Sequence, residues 1–113
     1  MVTKKKIRIP IFEYDITVLV FDKWSDLDGY IPKELSKDSC RGLTIEYDWK
    51  CIVCITPKYL STLSHEAFHV VNLIWKSIGY EPQRDNDEVS AYLLTYVVEQ
   101  LTKVLNKHLT QNR

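Results

Sequence analysis

Residues 59–78 read YLSTLSHEAFHVVNLIWKSI, and this stretch decides the fold. It contains no Pro or Gly, and apolar residues recur at Leu60, Leu63, Ala67, Val71, Ile74 and Ile78. Spacings that alternate three and four mark an amphipathic helix with one buried stripe. Thr56-Pro57 reads as an N-cap followed by Pro at the first helical position, and Gly79 reads as the C-terminal stop. On the face opposite the stripe lie His65 and His69, with Thr62, Asn72 and Lys76.

His65 and His69 are four residues apart, so a helix stacks them on one side, where both imidazoles can grip a single ion. Glu66 lies one step round, beside such an ion, where it can take a proton from a metal-bound water. The bland alternative is a histidine pair that merely happens to be helical. The avoidance of the core stripe and the position of Glu66 argue against it.

Two histidines leave a catalytic zinc site short of one protein ligand. Downstream, Asp85-Asn86-Asp87-Glu88 opens a second helical pattern that runs to about His108 or Leu109. Its apolar stripe is Leu93, Val97, Leu101 and Val104, and Glu88 falls on the opposite face with Tyr92, Thr95 and Glu99. The linker Tyr80-Glu81-Pro82-Gln83-Arg84 is short enough to fold this helix back antiparallel, placing Glu88 near the histidines. A structural alternative stands beside this. Asp85-x-x-Glu88 has the form of a capping box, and acidic residues favour a first helical turn. Asp87, Asp85 and Glu99 are the other candidates for a third ligand.

The pattern His65-Glu66-x-x-His69 followed by Glu88 resembles the gluzincins, zincin metallopeptidases with two His and one Glu on zinc. The resemblance implies His65, His69 and Glu88 as zinc ligands and Glu66 as general base. The metzincin pattern fails, because Asn72 and Trp75 stand where it needs Gly and a third His. Thermolysin-like members carry an Asp four residues after the ligand Glu, and here that position is Tyr92. The short spacing and Asp87-Glu88-x-x-Ala91-Tyr92 are more similar to compact zincins of phages and mobile elements, including the ImmA/IrrE-like group. The resemblance covers mainly residues 56–100.

With 113 residues the chain is expected to form one domain around one core. Its 45% hydrophobic and 27% charged content is ordinary for a soluble globular protein. A formal net charge of zero argues against nucleic-acid binding through phosphate contacts. No apolar stretch approaches the ~20 residues of a membrane span. Lys4, Lys5, Lys6 and Arg8 make a basic start, read as a solvated terminus, and no signal-peptide core follows them. Cys40, Cys51 and Cys54 are odd in number, which fits free thiols in a reducing, cytoplasmic setting. Cys51-Ile52-Val53-Cys54 has zinc-knuckle spacing but no second half. It reads as strand, with the two thiols buried on opposite faces, and a Cys as third zinc ligand is a minor alternative.

Ile7–Phe12 and Ile16–Phe21 read as strands, a short helix is expected around Pro32–Ser36, and residues 42–47 and 50–55 read as a hairpin across Asp48-Trp49. Strands followed by helices predict an α+β fold with a small, mostly antiparallel sheet. The expected chemistry is peptide hydrolysis, with a peptide or protein substrate lying along residues 42–48 as an edge strand. Tyr92, Tyr96 and His108 are candidate oxyanion donors, Tyr92 being the best placed. Two other functions fit the pattern: a zincin-like metal-binding module with regulatory or interaction duties, and a phage-assembly protein with a coincidental motif.

Overall fold

The computed structural model describes residues 1–35 and 41–111. Cys40 and the end of the short helix expected near Ser36 lie outside them. Four strands come first: β1 (Val2–Ile9), β2 (Tyr14–Phe21), β3 (Leu43–Tyr47) and β4 (Lys50–Ile55). Two helices follow, α1 (Thr62–Ile78) and α2 (Glu88–Gln111). The fold is α+β, as the order of patterns predicts.

The sheet runs β1-β2-β4-β3 and is mixed. β1 pairs with β2 and β3 with β4 in antiparallel fashion, while β2 and β4 are parallel at its centre. A central parallel pair must be covered on both faces. Here the near-continuous apolar runs of β2 and β4 meet that need. Val18, Val20, Cys51, Val53 and Ile55 face the helices. Leu19, Phe21 and Cys54 face a second small core closed by Leu27 and Ile31, which belong to the segment between β2 and β3. Cys51 and Cys54 thus lie fully buried on opposite faces, as the strand reading expects.

β1 begins earlier than expected. The lysines at 4, 5 and 6 belong to a strand rather than a loose terminus, and pairing stops at Ile9 because Pro10 offers no N–H to the ladder. Exposed Lys4, Lys5, Lys6 and Arg8 give this edge the charge that blunts pairing with other chains.

Thr56 does cap a helical turn at Pro57, its hydroxyl accepting from the Lys58 N–H, but that turn is a 3-10 segment, Pro57–Tyr59. The α-helix starts at Thr62, whose hydroxyl donates to the Tyr59 carbonyl. Gly79 ends it in the left-handed region at φ 71°. The buried stripe of α1 is Leu63, Ala67, Val70, Val71, Ile74 and Trp75, whereas Leu60 and Ile78 are exposed. The stripe of α2 is as expected, extended by Leu105 and His108. α2 packs on α1 and on β1 and β2.

Candidate metal centre

Packing of α1 against β3 and β4 turns His65, Glu66 and His69 towards the β3 edge of the sheet. The two histidines are exposed on the outer face of the helix, and their Nε2 atoms stand 3.2 Å apart. Two imidazole ligands on a tetrahedral zinc, with bonds of ~2.0–2.1 Å, would have their nitrogens ~3.3 Å apart. The pair therefore fits two corners of such a site.

Glu66 behaves differently. It is only 5% exposed, because it tucks under β3. The Thr44 hydroxyl donates to its Oε1 at 2.7 Å, and its Oε2 lies 4.0 Å from His65 Nε2. One carboxylate oxygen is thus tied down while the other faces the histidines. Gly42 makes this possible. A Cβ there would come within 3.1 Å of Glu66 Cγ, Glu66 Oε2 and the Cys54 carbonyl. Absence of that carbon leaves space beside Oε2. Nothing local in the sequence signals that Thr44 and Gly42, on or beside a strand, will meet a helix Glu.

The cleft around these groups is lined by Gly42, Leu43, Thr44, Glu46, His65, Glu66, His69, Asn72 and Leu73. At its far end Lys76 bridges to Glu46 at 2.8 Å, linking α1 to β3. Thr62, expected on the polar face, is buried.

Glu88 opens α2 and is exposed. Among the described residues, no third His, Cys, Asp or Glu joins the two histidines in a metal-holding group. Asp87 lines a separate groove with Phe68, Asn72 and Ala91, and neither His65 nor His69 is among its lining residues. Tyr92 is 72% exposed and is not among the cleft-lining residues; Tyr96 is 37% exposed. His108 is not available as an oxyanion donor. It is wholly buried, with Nδ1 on the Thr3 hydroxyl at 2.7 Å and Nε2 on Asp22 at 2.9 Å. It clasps the end of α2 to the sheet.

The thiols are equally occupied with structure. Burial pushes Cys51 and Cys54 up to about 12, so neither offers a thiolate at neutral pH. Among the described residues no helix is long and apolar enough to cross a membrane. Comparison of the chain with family models, curated proteins and solved structures finds no match.

Proposed function

We propose that this chain is a zinc-dependent metallopeptidase of the compact gluzincin type, with His65 and His69 as ligands and Glu66 as general base. The observation that carries the proposal is the posture of Glu66. Its Oε1 is held by Thr44 while its Oε2 is left open beside the paired histidines. A buried carboxylate with one tethered and one open oxygen is suited to proton transfer at a defined point. His65 and His69 would hold the metal, which would supply Lewis acidity when bound. Glu66 Oε2 accepts the proton of the attacking water and then delivers it to the leaving amine.

Substrate binding falls to β3. It is an edge strand, and unlike β1 it carries no lysine. A peptide adding antiparallel to it would pass over Thr44 and the cleft. Glu88 is the proposed third ligand. It is carried by the motif spacing and opens α2, and its neighbour Asp87, which lines the groove with Asn72, is the alternative donor.

The test pairs two variants. Zinc content is measured by elemental analysis and turnover by cleavage of a peptide library. Glu66→Gln should keep zinc and lose turnover by ~10²–10⁴-fold. His65→Ala should lose both. If Glu66→Gln cleaves as fast as the parent, the mechanism is wrong. If the parent binds zinc but cleaves nothing, the binding module is the better description.

A further inference from the structure

The hairpin between β3 and β4 closes through only Asp48 and Trp49, since Tyr47 and Lys50 are already a paired register. Both loop residues have positive φ, 47° for Asp48 and 61° for Trp49. Such a two-residue turn favours Asn-Gly or Asp-Gly, because its second position suits a residue without a side chain. Asp is a natural occupant of the first place, whereas an indole at the second strains the backbone and does nothing for the turn.

Nor does the indole serve the core. Trp24 packs on Phe21, and Trp75 packs on Phe12 and Tyr80 and donates to Ser90. Trp49 is 67% exposed, and among the described residues its ring has neither an aromatic nor a cationic partner. An outlier of backbone that presents an unpacked aromatic to solvent is a reason to look for a ligand.

The charges around the tip say which ligand. Glu46 is neutralised by Lys76 at 2.8 Å, and Lys50 lies over the Tyr47 ring at 5.6 Å. Asp48 is exposed, and among the described residues its carboxylate has no ion pair. The hollow formed by Glu46, Tyr47, Asp48, Trp49 and Lys76 shares Glu46 with the cleft around His65 and His69, so the two are neighbours along β3.

We infer that the hairpin tip is a remote subsite for a basic side chain, Arg or Lys, of an extended peptide lying along β3. The cation rests on the Trp49 face and meets the unpaired Asp48 carboxylate. The inference rests on β3 as the seat of the substrate. β3 runs from Gly42, beside Glu66, towards the tip, so an antiparallel peptide presents its amino-terminal side to Trp49. At ~3.3 Å per residue, Thr44 and Tyr47 are roughly 10 Å apart. The basic residue therefore sits about three to five positions before the cleaved bond.

Binding is measured by anisotropy of labelled peptides of about ten residues, with a single Arg moved along an otherwise Ala-Thr-Val sequence. Zinc-supplemented Glu66→Gln protein is used so that the peptide survives, and cleavage by the parent is followed in parallel. One Arg position should bind about tenfold more tightly than Ala at the same place. That preference should vanish in Trp49→Gly and weaken several-fold in Asp48→Asn. Both changes move the turn towards Asn-Gly, so their melting temperatures should equal or exceed the parent's, which separates lost binding from misfolding. An absent Arg preference, or one that survives unchanged in both variants, overturns the inference. Cleavage without Arg preference sinks the subsite and leaves the peptidase standing. Trp49-dependent capture without any cleavage sinks the peptidase and leaves the subsite as a binding surface.

Discussion

Thr44→Val probes the contact on which the candidate site depends. Valine keeps the shape and the β-branching of the strand residue but has no hydroxyl to donate to Glu66 Oε1 at 2.7 Å. The acceptor is a carboxylate only 5% exposed, so water cannot fully replace the lost donor. Hydrogen bonds to charged groups contribute ~1.5–3 kcal/mol, and the extra buried methyl returns a few tenths at a half-buried position. For a domain of this size, about 4 °C per kcal/mol at the low end predicts a melting temperature lowered by roughly 5–12 °C. Turnover should fall by about 10–100-fold, because a freed carboxylate swings away from the reacting water and misplacement of about 1 Å costs ~10². Zinc affinity should stay within about twofold, since the proposed ligands His65 and His69 are not displaced. Thermal melts by circular dichroism, peptide cleavage and zinc titration measure the three quantities, and Thr44→Ser should restore all of them. If Thr44→Val melts and turns over like the parent, the hydroxyl does not position Glu66 and the reasoning fails.

Gly42→Ala should push Glu66 aside, because the new methyl would sit 3.1 Å from its Oε2 and from the Cys54 carbonyl. Crowding of this kind costs ~1–3 kcal/mol, and turnover should drop more than zinc binding does; an alanine variant with parental activity would show that Glu66 has slack. Glu88→Gln should weaken zinc binding by at least about tenfold if the carboxylate reaches the metal, and unchanged affinity in a calorimetric titration would remove it from the ligand set. Cys51 and Cys54 should resist alkylation in the native protein at pH 8 and react once urea unfolds it, since burial pushes both up to about 12. The same shift sets a pH dependence. The folded thiols hold their protons above an ordinary 9.0, where the unfolded ones release them, so their contribution is intact below about 9 and is lost as pH climbs towards about 12. Buried Tyr14, also raised by desolvation, adds to this above pH ~10. Melts that stay flat between pH 8 and 10.5 would contradict the assignment.

The periodicity of residues 59–78 was enough by itself to place a helix with His65 and His69 on one face, because a helix fixes the angle between residues four apart. The same local rule placed the stripe Leu93, Val97, Leu101 and Val104, and put Cys51 and Cys54 on opposite faces of a strand. The Asp48-Trp49 turn was visible for a similar reason, since it joins adjacent runs. Local rules failed where partners come from far apart in sequence. The parallel pairing of β2 with β4 depends on which strand enters the middle of the sheet, and apolar runs alone do not specify that. His108 reads in the sequence as a candidate oxyanion donor near the end of a helix, but Thr3 and Asp22 close over it from the opposite end of the chain. Only the packing of α1 beneath β3 decided that Glu66 would be buried, that Thr44 would hold one of its oxygens, and that Gly42 would leave the other open. A helix can orient its own side chains, but the partners and burial that each of them meets are supplied by another element, and that depends on the tertiary fold.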